Sequence, residues 1–290
     1  MKSTSSQISG VLNIGVCGLG TVGRGTVELL LNNAKQIERR LGYALTISHA
    51  VTRTLDANRK TLLDSCGEIQ VGTDPFAVVK DPQVQIVVEA MGGYDPAFEV
   101  VKQALSNGKH VVTANKALIA EHGNELFPVA EQNNVNLAYE SSVAAGIPII
   151  KVLREGLAAN EIDWVAGIIN GTGNFILTEM AARQRKFEVV LKQAQELGYA
   201  EADPTFDIEG IDAAHKLTII GSIAFGIPLQ FDKTYTEGIS KITPEDISYA
   251  DELGYSIKHL GIARRTDKGV EMRVHPTLLS KSRLLANVNG

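Results

Sequence analysis

Cysteine is scarce: Cys17 and Cys66 are the only two in 290 residues, too few for a disulfide framework and in keeping with a reducing compartment. No stretch approaches the roughly eighteen consecutive apolar residues of a membrane-spanning helix. The polar start MKSTSSQISG lacks the apolar centre of a secretory signal. Lysine and arginine form no run, and a net charge of -5 gives no electrostatic footprint for nucleic acid. Internal repeats and low-complexity segments are missing too. What is left is a chain 44% hydrophobic and 21% charged, long enough for two globular domains with cores of their own. The expectation is a soluble cytoplasmic protein with neither a nucleic-acid nor a membrane partner.

Residues 11–23, VLNIGVCGLGTVG, read as a buried strand running into Gly18, Leu19, Gly20, Thr21, Val22 and Gly23, then a helix to about Leu41. A lone G-x-G-x-x-G is weak, but a strand before and a helix after make it a dinucleotide-binding turn. The first glycine permits the tight turn, the second lets the backbone approach a pyrophosphate, and the third lets helix pack on strand. The phosphates then rest on the helix N-terminus. The next strand, LTISHAVTR, ends at Thr52 and Arg53, where an NAD-specific fold places an acid about 20 residues after the glycines. Arginine there pairs with a 2′-phosphate, which tilts the cofactor toward NADP without excluding NAD. A solvated loop arginine is the plain alternative. The charged stretch NNAKQIERR lengthens the first helix and carries Arg53 beyond the usual spacing.

VQIVVEA, at 84–90, is the continuous apolar run of a buried parallel strand, ended by Met91, Gly92 and Gly93 at the ligand side. A helix over 96–106 leads to KHVVTANK, a strand closing on Asn115 and Lys116. Such strand ends share an edge with the glycine turn, which aims Lys116 at the nicotinamide half of the cofactor. Otherwise Lys116 merely opens the helix KALIAEHGNELFPVAEQ, whose N-terminus disfavours a cation. The strand VNLAYES completes the first domain near Glu140.

Residues 140–148, ESSVAAGIP, cross into a second domain; one carboxylate beside several carbonyls suits a hard cation. A helix from Pro148 to about Leu157 and a strand WVAGIIN lead to a loop NGTGN at 170–174. That loop offers backbone donors, a hydroxyl and an amide to a small polar substrate, and a plain turn fits it equally well. After a helix over 187–197 comes GYAEADPTFDIEGIDAAHK at 198–216, with Glu201, Asp203, Asp207, Glu209, Asp212 and then Lys216. Pro204 and Gly210 make its first part loop and its last part the start of a helix to about Phe225. Asp212 and Lys216 project onto the apolar stripe of Ile208, Ile219 and Ile223. Half-desolvating an acid and an amine is costly unless they pair or work; an ordinary i,i+4 surface pair is the plain reading. Farther on, a helix over 244–253 precedes a hairpin, SIKHLGIARR and GVEMRVHPTLL, turning at 266–269. His259 and His275 fall in strand-like text far from these motifs and are expected to be structural.

The fold class is α/β: a doubly wound Rossmann nucleotide-binding domain over 1–140, then an α+β substrate and dimerisation domain over 141–290. GLGTVG, VVTANK, YESSVAAGIPII, NGTGN and LGYAEADPTFDIEGIDAAHK occur in an order and spacing that resemble homoserine dehydrogenase, over nearly the whole chain from about Val11. That resemblance implies NADPH- or NADH-dependent reduction of L-aspartate 4-semialdehyde to L-homoserine, toward threonine, isoleucine and methionine. It places Gly20, Thr21 and Val22 on the pyrophosphate, Arg53 near the adenosine ribose and Lys116 near the nicotinamide. Glu201 and Asp212 would hold the substrate, Gly198 and Thr172 line its pocket beside Asp207, and Lys216 donate and accept the proton. Glu140 with the carbonyls of Val143, Ala145 and Ile147 resembles a sodium site. The chemistry agrees: hydride arriving at an aldehyde carbon leaves negative charge on oxygen, which an ammonium stabilises and protonates, whereas arginine keeps its proton. The family implies a homodimer or homotetramer. Its members continue past Gly290 with a return segment, and many with an ACT domain, so the chain is expected to be a trimmed piece. A nucleotide-binding regulatory module, or another small amino-acid or aldehyde dehydrogenase, stands as the alternative.

Overall fold

A computed structural model describes residues 10–289; the polar start read above lies, but for Gly10, outside the described residues. The chain divides into two compact units, Met1–Ala145 and Gly146–Gly290.

In the first unit β1 (Val11–Cys17) leads through the glycine turn into α1 (Thr21–Asn32) and α2 (Ala34–Leu41). There follow β2 (Ala44–Val51), α3 (Ala57–Asp64), β3 (Gln70–Gly72), α4 (Pro75–Lys80), β4 (Ile86–Glu89), α5 (Ala97–Ser106), β5 (His110–Thr113), α6 (Lys116–Gln132) and β6 (Leu137–Ala138). All six strands run parallel in the order β3-β2-β1-β4-β5-β6, a doubly wound sheet whose order reverses between β1 and β4. The central strands are apolar because both faces are covered. Ile14, Val16, Ile47, Ala50 and Val88 pack with Val27 of α1 and Leu63 of α3 into one core.

The helix expected over 21–41 is two helices. Asn33 breaks it: its backbone and side-chain amides both donate to the Leu29 carbonyl, at 3.1 and 2.9 Å, the kind of local bond by which asparagine competes with a continuing helix.

The second unit starts with α7 (Ile149–Lys151), which passes into a π-helical turn over Val152–Gly156. The helix expected to Leu157 is therefore mostly this wider turn, closed by the Leu157 amide on the Val152 carbonyl at 2.8 Å. Next come β7 (Trp164–Gly167), α8 (Gly171–Arg183), α9 (Phe187–Glu196), α10 (Thr205–Ile208), α11 (Ile211–Phe225), β8 (Tyr235–Thr236), α12 (Pro244–Glu252), β9 (Tyr255–Thr266) and β10 (Gly269–Ser280). Their sheet, ordered β7-β9-β10-β8, is antiparallel at β7/β9 and β9/β10 and parallel at β10/β8. α11 packs Ala213, Ala214, Leu217 and Phe225 against Ala263, Met272 and Val274 of the hairpin. A second core gathers Ile176, Leu177 and Met180 of α8 with Val190 and Ala194 of α9 and Ile247 of α12.

Candidate active site

At the end of β1, three glycines meet three different demands. Gly18 has φ +102°, and a Cβ there would lie 2.5 Å from the Ala90 carbonyl oxygen at the end of β4. At Gly23 a Cβ would fall 1.8 Å from the Gly18 carbonyl oxygen, so α1 can sit against the turn only without a side chain. A Cβ on Gly20, by contrast, would meet no non-neighbouring atom of the described residues within 4 Å. Gly20 is the N-cap of α1, without a side-chain cap and with no acid in the first turn. The leading amides of α1, from Thr21 and Val22, therefore receive no side-chain cap from the N-cap residue. The uncapped N–H groups and the positive helix end are features suited to an anion.

A cavity of about 350 Å³ opens there, lined by Gly18, Leu19, Gly20, Arg53, Arg59 and Met91 among others. Arg53 stands exposed just past β2 and has no hydrogen-bond or ion-pair partner among the described residues. Arg59, on α3, was not singled out from the sequence. Its guanidinium donates to the Leu19 carbonyl at 2.9 Å and the Thr54 carbonyl at 3.0 Å, and pairs with Asp56 at 2.9 Å. It braces the glycine turn and the loop that carries Arg53. Cys17, beneath the turn, is no nucleophile: burial, then the Glu89 and Asp74 carboxylates, push its thiol up to about 12.

Lys116 is the first residue of α6. Asn115 caps that helix through Leu118 N (3.2 Å) and donates to the Gly93 carbonyl (2.6 Å), which ties the helix start to the turn after β4.

In the second unit the expected loop NGTGN is the first turn of α8. Its N-cap, Asn170, is 5% exposed and uses its Oδ1 to accept from Gly173 N at 2.7 Å. Its Nδ2 donates to Asp207 at 2.6 Å and Asp212 at 2.9 Å, bridging two carboxylates. Lys216 donates to the same Asp212 oxygen at 2.6 Å and to the Ile169 carbonyl at 3.0 Å. The side chains of Lys216 and Asp212 are 19% and 8% exposed, so this i,i+4 pair is not the surface pair of the plain reading. Asn170, unassigned from the sequence, is thus the hub of the acidic cluster.

The other expected residues are placed less uniformly. The Thr172 hydroxyl donates to the Tyr199 carbonyl at 2.7 Å, beside Gly198 with φ +75°, so those two lie together. Glu201 is exposed, and among the described residues only its carbonyl is engaged, accepting from the Gln195 side chain at 3.1 Å. Asp203 accepts from the Thr205 amide and hydroxyl at 3.1 and 2.6 Å, bonds that hold its carboxyl below the usual range. His259, expected to be remote, lies beneath the cluster: a Cβ on Gly210 would come 3.0 Å from its ring and one on Gly173 3.8 Å. The hairpin brings it there, and no local motif marks it. The ring contacts the Glu237 carbonyl through Nε2 at 2.9 Å, and burial pushes its pKa down.

Glu140 opens a 3-10 turn, Glu140–Ser142, whose carbonyl accepts from Val143 N at 3.3 Å; Ala144 and Gly146 are left-handed. Among the described residues no three His, Cys, Asp or Glu side chains group as metal ligands, and no helix is long and apolar enough to cross a membrane.

The homoserine dehydrogenase NAD-binding domain family matches residues 18–140, and the homoserine dehydrogenase family matches 148–290. Homoserine dehydrogenase of Pseudomonas aeruginosa is 59% identical over 279 residues, 96% of this chain and 63% of that protein. The crystal structure of a homoserine dehydrogenase from Thiobacillus denitrificans superposes with a TM-score of 0.91 at 58% identity, over 97% of this chain and 64% of that one. A hyperthermophilic archaeal homoserine dehydrogenase in complex with NADPH gives 0.79 at 29% identity, over 97% and 85%. The chain spans a little under two thirds of the length of the bacterial relative, 63%. With a nucleotide turn and a clasped lysine each inside its matched segment, and more than half of its residues shared with one relative, the chain belongs to the homoserine dehydrogenase family.

Proposed function

We propose that this chain carries out the reversible, NAD(P)H-dependent reduction of L-aspartate 4-semialdehyde to L-homoserine. The observation that carries the reading is the Lys216 clasp. An ammonium has three N–H donors; Asp212 and the Ile169 carbonyl take two of them. The third is left for a substrate oxygen, where it stabilises the charge that forms as hydride arrives and then supplies the proton. The nicotinamide, when bound, supplies the hydride. Asp207 and Asp212 place two carboxylates beside Lys216, acceptors suited to a substrate's own ammonium group. Glu201, exposed at the entrance of this stretch, adds a third carboxylate to that role, and Thr172 and Gly198 frame the pocket.

On the nucleotide side, Gly18 to Gly23 receive the pyrophosphate, with Gly20, Thr21 and Val22 nearest. Arg53 takes the 2′-phosphate, which favours NADP over NAD; the NADPH complex of the archaeal relative supports the same preference. Lys116 approaches the nicotinamide half.

Glu140 and the carbonyls of Val143, Ala145 and Ile147 form an oxygen-only set suited to Na+; the Ile147 carbonyl also accepts from Ile149 N at 2.8 Å, which leaves it one lone pair. Dimers or tetramers built on the second sheet, a cytoplasmic location, and a place in threonine, methionine and isoleucine synthesis complete the proposal, as does the domain division 1–140 and 141–290. The test is turnover: absorbance of reduced cofactor followed with homoserine and NADP in excess. Steady cofactor reduction is expected. Tight NADPH binding without turnover would favour the regulatory module, and turnover only with other hydroxy or amino compounds would favour a different dehydrogenase.

A further inference from the structure

Glu89 ends β4, has no solvent exposure, and takes no part in the reading above. A carboxylate in an apolar core is costly unless its lone pairs are met. Here the donors come from two separate segments. Oε1 accepts from Met91 N at 2.8 Å and Gly92 N at 3.2 Å; Oε2 accepts from the Thr113 hydroxyl on β5 at 2.6 Å. Thr113 is equally buried, and its Oγ1 accepts from Asn115 N at 2.9 Å. Asn115 then donates to the Gly93 carbonyl at 2.6 Å and caps α6, where Lys116 stands.

These bonds close a ring: Glu89 to the 91–92 amides, along the turn to Gly93, across to Asn115, back through Thr113 to Glu89. Cohesion between β4 and β5 does not require it, since the backbone ladder already pairs Glu89 with Thr113. What the ring adds is a fixed geometry for two irregular segments beyond the ladder, the 91–93 turn and the first turn of α6. Met91 and Gly92 line the cavity beside the glycine turn. Both segments lie at the carboxyl ends of the strands next to the point where strand order reverses, the crevice that takes the dinucleotide in such sheets.

We propose that Glu89 is a positioning residue for the nicotinamide half of the cofactor, locking the 91–93 turn and the Lys116 helix start into one rigid wall. The inference rests on the nucleotide-binding reading of this unit. Rigid support of a contact surface governs how closely a hydride donor is aligned, so the effect falls on hydride transfer and cofactor affinity and spares the amino-acid substrate.

The test uses Glu89→Gln, Thr113→Val and the double variant, with three measurements: NADPH affinity by fluorescence titration, hydrogen exchange at 90–93 and 113–118, and steady-state kinetics. In Glu89→Gln the new amide faces Thr113, whose hydroxyl proton then has no acceptor. Each single variant is expected to raise the NADPH Kd by about threefold and to lower kcat about tenfold, with the homoserine KM within about twofold. Exchange in both segments should accelerate at least about tenfold. The double variant should be no worse than the weaker single, because both cut one ring. If Glu89→Gln does not fold, the uncharged, near-isosteric Thr113→Val decides alone. Variants that melt lower but keep wild-type Kd, kcat and exchange would reduce Glu89 to a stability element and overturn the proposal. A wild-type chain that binds NADPH yet never turns over would sink the enzymatic reading alone, and Kd and exchange would still decide on Glu89. A wild-type chain with no affinity for dinucleotide would sink both.

Discussion

Replacing Gly20 and Gly23 by alanine, one at a time, separates ligand binding from folding at the same turn. Gly20 has φ -72° and ψ -163°, which any residue adopts, and its added methyl meets no protein atom within 4 Å. The lower chain entropy of alanine stabilises by roughly 0.4–1 kcal/mol, and exchanging glycine for alanine at an N-cap costs a comparable amount. The melting temperature of Gly20→Ala should therefore stay within about 2 °C of wild type. The methyl occupies the space through which a pyrophosphate reaches the leading amides of α1. Losing two charge-assisted hydrogen bonds at about 1.5–2 kcal/mol each weakens binding by ~10²–10³-fold. Gly23→Ala reverses the pattern: its Cβ lies 1.8 Å from a backbone oxygen, which no rotamer change relieves. A cost of about 3 kcal/mol, or ~10 °C, follows. Thermal melts and NADPH fluorescence titrations of the two variants read both effects. A Gly20→Ala chain that binds NADPH as wild type does would refute the placement of the phosphates.

Arg53→Ala should raise the Kd for NADPH by about tenfold or more while leaving NADH unchanged, since the exposed Arg53 side chain has no partner to lose among the described residues. Arg59→Ala releases the Leu19 and Thr54 carbonyls and should weaken both cofactors alike; equal losses from Arg53→Ala in parallel titrations would contradict the 2′-phosphate role. Asn170→Ala removes the cap of α8 and the bridge between two acids, about 3–4 kcal/mol together, whereas Asn170→Ser restores the cap alone and recovers about 1 kcal/mol; indistinguishable melts of the two variants would count against the cap, and a serine variant as stable as wild type against the bridge. Because burial holds the His259 pKa below the ordinary 6.5, the unfolded chain binds the extra proton first. Its contribution to stability is complete above about 6.5 and is lost as pH falls toward the folded value. Melting temperatures between about pH 7.5 and 5.5 should decline less steeply in His259→Gln than in wild type, and an unchanged slope would dismiss the histidine.

How much of this was legible depended on whether a residue's partner lies nearby in the chain. The glycine turn could be read because strand, turn and helix are consecutive, and the hairpin because Thr266 to Gly269 announce it. Asp212 and Lys216 were visible as a helical i,i+4 pair. Asn170 was not, because its two carboxylates lie 37 and 42 residues away. In the sequence it is only the first residue of a glycine-rich pentapeptide, which reads as loop although a side-chain cap makes it helix. Glu89 hid for a related reason: at the end of VQIVVEA it looks like the last residue of an apolar strand, and its Thr113 partner is 24 residues on. His259 sits under the cluster because a strand of the hairpin crosses beneath α8 and α11. Arg59 meets the Leu19 carbonyl across 40 residues of chain, and Asn33 ended a helix that charge patterning alone would continue.

The central claim is that the clasped amine of Lys216 performs the proton transfer, and the most direct measurement is homoserine oxidation by Lys216→Ala with NADPH affinity followed in the same samples. Binding within about twofold of wild type and turnover reduced by at least ~10²-fold are predicted. A variant that binds cofactor normally and keeps full turnover would contradict the account.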